Sequence, residues 1–315
     1  MLTRRQIRVK VMQTIYAHFN GNLLSLKEGS KAIKDSCNDM ATLYITLLGL
    51  FKALWEFAEE QHQIQSALRK SENPINPNFL IIKNIQPLAL LAKHPFLIKK
   101  MAEHKITLWE LEFDFIRHMF DKITASEIFT TFAAIDHPNF KKQNKFLIQI
   151  FKEILAPDER LYRYIEDLNI HWVDDLPVVN TFLLKQLRKL REDDLSSLNF
   201  PNLVERVADI DFGVSLYEKV ISNHELLEKE FEGKTPNWDP ERIAVLDSLL
   251  IKIAIAELFY FNEIPPKVTL NEYLEIAKEY STPKSNQFIN GVLDSLVKDY
   301  VQNNRLNKEG RGLLE

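Results

Sequence analysis

The 315-residue chain has only 8 glycines and a single cysteine, Cys37, and it carries no long uninterrupted apolar run. One cysteine excludes an internal disulfide and any cysteine-rich zinc site, and Cys37 reads as a small apolar residue. With glycine this scarce, no Walker-type or Rossmann-type phosphate loop can be found. The 8 histidines show no His-Glu-x-x-His or related metal spacing. Asp174-Asp175 and Asp193-Asp194 are adjacent carboxylates, which do not share a helix face and read as helix-end and loop charges. No cofactor and no catalytic site is expected. The most apolar stretch in the C-terminal part, residues 249–261, is broken by Lys252 and Glu257 and is too short to span a bilayer. Residues 1–20 mix four basic side chains with apolar ones and lack signal-peptide architecture. A cytoplasmic protein without a membrane partner is the expectation.

With 45% hydrophobic and 27% charged residues, the chain has enough apolar surface to fold unaided. Strand-like alternation is hard to find. Leu, Ile, Phe, Lys and Glu recur at three- and four-residue spacing instead, so the predicted fold class is all-α. A net charge of −4 argues against coating nucleic acid by charge alone, although a local basic patch acts within a Debye length.

The spacing predicts a first helix over 3–19, opened by Thr3 and closed near Asn20-Gly21, with Ile7, Val11, Ile15 and Phe19 as its buried stripe. At about 100° per residue, Arg5, Arg8, Met12 and Tyr16 share a flank beside that stripe, and residues 1–20 hold no acidic residue. Further helices are predicted over 30–71 with at most one break, 107–123, 126–135, 140–155, 158–168 and 177–191. Residues 73–105 read as short helices and turns, and Thr124-x-x-Glu127 as a capping box. Toward the C-terminus, helices are expected over 203–232, over 240–261 with Asp239 and Pro240 at its entry, from Thr269-x-x-Glu272 to about 280, and from Thr282-Pro283 onward. The last carries Phe288, Val292, Leu296 and Tyr300 on one stripe, and residues from 302 on read as a flexible polar tail.

Three segments taken in order resemble the NusB family of transcription antitermination factors. They are Arg4-Arg5-Gln6-Ile7-Arg8 with Gln13-Thr14-Ile15-Tyr16, Leu249-Leu250-Ile251-Lys252-Ile253-Ala254, and Val268-Thr269-Leu270-Asn271-Glu272 followed by Phe288-Ile289-Asn290-Gly291-Val292-Leu293-Asp294. Lys252, Tyr273, Tyr280 and Ser281 depart from the family's usual arginine, alanine, phenylalanine and glycine. The resemblance implies two perpendicular three-helix bundles with an extra helical region, about residues 23–202, inserted in the N-terminal half. It sets an N-terminal helical region (1–210) before a bundle over 211–301 and a tail over 302–315. It also implies binding of boxA-like single-stranded RNA in ribosomal RNA transcripts, together with a NusE-type small-subunit ribosomal protein, within an RNA polymerase antitermination complex. On that reading Arg4, Arg5, Arg8, Gln13, Tyr16, Lys278, Tyr280, Phe288 and Asn290 are the candidate RNA-binding residues. Lys10 would add charge, Asn286 a polar edge, and Gly291 a point of close approach. Asp247, Lys252 and Glu257 are the candidates for a protein partner. Single-stranded RNA needs cations for phosphates and π-faces for unstacked bases, which those residue types supply. A helical adaptor, or an accessory domain for ribosomal RNA maturation that does not itself bind boxA RNA, stays open as the alternative.

Overall fold

The computed structural model describes residues 3–21, 25–68, 76–192, 207–232 and 243–310. Regular secondary structure among these is helical throughout. The all-α expectation holds. The chain forms two compact units, one from Leu2–Cys37 with Leu203–Glu315 and one centred on Asn38–Asn202.

Helix α1 (Arg4–Phe19) opens on Thr3 and closes at Asn20, as its sequence predicts. Helix α2 (Leu26–Ala67) is unbroken over 42 residues, and its first turns belong to the first unit and the rest to the second. It is the one described helix long and apolar enough to cross a membrane, but 67% of its most apolar window is buried inside the protein, as in a core helix.

The second unit continues with α3 (Pro77–Lys83), α4 (Gln86–Ala92) and α5 (Pro95–Glu103), then α6 (Leu108–Leu111), α7 (Phe113–Thr124) and α8 (Glu127–Ala133). Helix α9 (Phe140–Ile150) runs into a π-helical turn (Phe151–Leu155), followed by α10 (Glu159–Leu168) and α11 (Trp172–Leu187). The stretch hardest to read in sequence, 73–105, is punctuated by proline. Pro77, Pro87 and Pro95 each sit in a first turn, where a missing N–H costs nothing. An aromatic core holds this unit: Phe57 lies 6.0, 5.4 and 5.3 Å from Phe79, Phe113 and Phe120. Trp109 donates its indole N–H to the Thr46 carbonyl at 2.7 Å.

Several boundaries differ from expectation for identifiable reasons. Glu112 separates α6 from α7 in a run predicted as one helix. Thr124 does not cap α8: its hydroxyl turns back to the Phe120 carbonyl, and Ser126 accepts from the Phe129 N–H instead. Helix α11 starts five residues before Pro177, which sits inside it.

The first unit is completed by α12 (Val207–Ser222), α13 (His224–Glu232), α14 (Val245–Tyr260), α15 (Pro266–Tyr280) and α16 (Ser285–Gln302). The run predicted as one helix to 232 breaks at Asn223, and its start at 203–206 lies outside the described residues. So do Asp239 and Pro240, while Ile243 and Ala244 precede the helix proper. Pro265, not Thr269, caps α15. Helix α14 is the axis of this unit: Leu250, Ile251, Ile253, Ala254, Ile255 and Ala256 are fully buried, and α1, α12, α13, α15 and α16 pack around it. Helices α1 and α12 meet at Gly213, where a Cβ would lie 2.5 Å from the Ile7 side chain. Phe19 leaves the predicted stripe of α1 and is 45% exposed. Within the segment expected to be a polar tail, Lys308 donates to the Phe261 carbonyl and Arg305 pairs with Glu230.

Candidate functional site

The N-terminal end of α1 is built by a reciprocal cap. The Thr3 hydroxyl faces the Gln6 N–H at 3.4 Å, and the Gln6 side chain accepts from the Thr3 N–H at 2.9 Å. No acidic residue stands in this first turn. Arginines at a helix N-terminus work against the helix dipole, so Arg4 and Arg5 are not there to stabilise α1. They line a groove of about 690 Å³ together with Glu263, Ile264, Val268 and Glu272. Arg4 pairs with Asp209 at 3.0 Å and lies over the Phe212 ring. Arg5 donates to both oxygens of Glu272, at 2.9 and 3.1 Å, and stands 3.9 Å from Glu275. The Glu272 hydrogen bond, opposed by partial burial, raises the Arg5 pKa. Both arginine side chains are 40% exposed.

Arg8, one turn on, is in a different environment. It is 2% exposed, and its guanidinium donates twice to the fully buried Glu257, at 2.7 and 2.7 Å. Thr269 and Tyr273 donate to the same carboxylate at 2.8 and 3.1 Å, so both oxygens accept twice. Burial opposes the charge on Arg8, but the bond to Glu257 and its charge outweigh burial and hold the pKa above the usual range. Burial, then Glu257, pushes the Tyr273 phenol well up. Arg8 is therefore an internal tie between α1, α14 and α15, not a surface cation, and Glu257 is its counter-ion rather than a partner-facing carboxylate.

The same correction applies to Asp247, which is 5% exposed and accepts from the Ser281 hydroxyl at 2.5 Å. Both buried carboxylates of α14 thus meet a polar side chain on or at the end of α15, at Tyr273 and Ser281. Lys252 pairs with Glu228 and lies over the Phe231 ring, with 13% of its side chain exposed.

Tyr16 is 45% exposed, but not beside the arginines. It borders a separate groove of about 210 Å³ with Phe19, His224, Val245 and Lys252. Arg8 and Met12, which share its flank of α1, are buried between, so no continuous surface runs along that flank. Gln13 is half-buried and Lys10 buried.

On α15, Lys278 is exposed and pairs with Glu275 at 2.5 Å, the carboxylate that also faces Arg5. Arg5 and Lys278 therefore share one strip. Tyr280 and Phe288 are half-buried against the core. Asn286 donates to the Leu274 carbonyl at 3.0 Å, and Asn290 faces Asp294 at 3.5 Å. Gly291 is exposed inside α16, and a Cβ there would meet nothing within 4 Å.

The family model of the NusB family matches residues 183–298. The chain is 39% identical over 133 residues to a transcription antitermination protein NusB of Chloroherpeton thalassium, covering 41% of this chain and 62% of that one. It is 43% identical over 104 residues to a protein of the same name from Salinibacter ruber, covering 33% and 65%. With the counterpart from Geotalea daltonii it shares 35% identity over 117 residues, 37% of this chain and 78% of that protein. The chain thus spans less than two thirds of the first two relatives. No solved structure matches.

Proposed function

This chain belongs to the NusB family, and from that membership we propose that it acts in transcription antitermination by binding single-stranded RNA. The RNA would be boxA-like and lie in ribosomal RNA transcripts. A NusE-type small-subunit ribosomal protein would bind with it, inside an RNA polymerase antitermination complex. The role is one of recognition, without a catalytic step.

The observation that carries this reading is the groove beside Arg4 and Arg5. Two cations stand at a helix N-terminus where the dipole disfavours them, and their carboxylate partners leave both partly in solvent. A phosphate can exchange with such carboxylates. The buried Arg8–Glu257 pair cannot take part without opening the core. Arg5 and Lys278 extend the strip onto α15, and the open helix face at Gly291 suits close approach by a partner.

Titration of labelled boxA RNA into wild type and an Arg4→Ala/Arg5→Ala variant tests this. Each lost phosphate contact should lower the slope of log K against log salt by about 0.7, so the variant should bind more weakly and lose roughly 1.4. Equal affinity and equal slope would sink the proposal and leave the adaptor reading.

A further inference from the structure

Outside the groove, the largest concentration of basic charge lies in the second unit. The runs 139–152 and 185–191 together hold eight Lys and Arg residues and no Asp or Glu, in a chain of net charge −4. The first run is α9 with the start of its π-helical turn, and the second is the end of α11 with the residues just beyond it. The Asn144 side chain joins them, donating to the Leu187 carbonyl at 2.8 Å.

Lys141, Lys145, Lys152, Lys185, Arg188 and Lys189 are all exposed. None of the six has an ion-pair partner among the described residues, in contrast to Arg4, Arg5, Arg8 and Lys278. At about 100° per residue, Lys141 and Lys145 fall within roughly 40° of one another on α9, and Lys152 follows in the π-helical turn. They lie on one flank of Asn144, whose side chain faces α11. That row extends roughly 16 Å along the helix. Glu153 and Glu192 flank the two runs without interrupting them.

Helix stability does not explain the row. Arg188 and Lys189 suit a helix C-terminus, but Lys141 stands in the first turn of α9, where a cation opposes the dipole. A phosphate there would meet the lysine and the helix N-terminus together, and both favour an anion. Large hydrophobic side chains are not exposed on α9 or α11, which removes the apolar wedge a membrane surface would use and any platform for base stacking. The remaining chemistry is attraction to a chain of phosphates.

We propose that α9 and the C-terminal end of α11 form a separate face that binds the phosphate backbone of a nucleic-acid strand without reading its bases. It does not depend on the groove at Arg4 and Arg5. The test is fluorescence anisotropy of the full chain with a labelled oligouridylate, which carries no boxA sequence, at about 50 and about 200 mM salt. The variant Lys141→Gln/Lys145→Gln/Arg188→Gln/Lys189→Gln should bind at least about tenfold more weakly at the lower salt, with a salt slope reduced by roughly 2–3. The corresponding substitution of the three lysines by arginine and Arg188 by lysine should keep wild-type binding. An Arg4→Gln/Arg5→Gln variant should retain the part of the salt slope that the first variant loses.

Unchanged oligouridylate binding in the four-fold Gln variant, with wild-type circular dichroism, overturns the proposal. So does complete loss of binding in the Arg4→Gln/Arg5→Gln variant. Phosphatidylserine vesicles that bind wild type but not the Gln variant, with oligouridylate binding unchanged, overturn it in favour of a lipid surface.

Discussion

At Arg8 the desolvation of a guanidinium is offset by one carboxylate that also satisfies Thr269 and Tyr273. Removing one partner strands the other charge in the core, at a typical cost of about 3–5 kcal/mol. Arg8→Met should lower the unfolding free energy in urea by about that much. Arg8→Met/Glu257→Leu should recover a large part of the loss, and a double mutant no more stable than either single would refute the tie. Gly291 makes the opposite prediction. A helical glycine with open space around it gains about 0.5–1 kcal/mol on change to alanine. Gly291→Ala should therefore raise Tm while weakening capture of the NusE-type protein. A raised Tm with unchanged capture would take α16 out of the proposed interface.

Helix α10 begins at Asp158, which accepts from the Arg160 and Leu161 N–H groups at 2.9 and 3.0 Å and pairs with Lys122 at 2.6 Å. Burial works against its charge, but Lys122 and the backbone bonds outweigh burial and hold its pKa below the usual carboxylate range. A depressed folded pKa means the contribution is present above the unfolded value, near pH 4, and fades as pH falls through the folded one. Asp158→Ala should cost about 0.5–2 kcal/mol at neutral pH, with a smaller difference from wild type at about pH 3; a pH-independent difference in urea midpoint would count against the cap. Helix starts made much of the fold legible: Thr3 caps the helix it announces, and the helices expected from 140 and 158 begin there, on caps that the structure places at Asn139 and Asp158. Thr124 and Thr269 have the same local signature, yet their hydroxyls bond elsewhere, because tertiary and preceding-turn acceptors compete with the cap. The candidate site was read less well for a related reason. Periodicity put Arg5, Arg8, Met12 and Tyr16 on one flank, and nothing local shows that Arg8 is taken up by Glu257 of α14 and Tyr273 of α15. The polar interruptions of α14 were the available signal, since Asp247 and Glu257 in so apolar a helix need buried partners.

Across the molecule, the first unit is assembled from the two ends of the described sequence, with Arg8 and Glu257 separated by 249 positions. Hydrogen exchange on Arg8→Met should show α1, α14 and α15 losing protection together while α7 and α10 keep theirs. Uniform loss in both units would show that they unfold as one. The separation also has a consequence for synthesis. At about 5–20 residues per second, α1 leaves the ribosome roughly 12–50 s before the carboxylate that will neutralise Arg8. The intervening helices can complete their own aromatic core in that interval, because it is contiguous in sequence. During that time the apolar side chains of α1 lack their packing partners in α14, and Arg8 lacks its counter-ion.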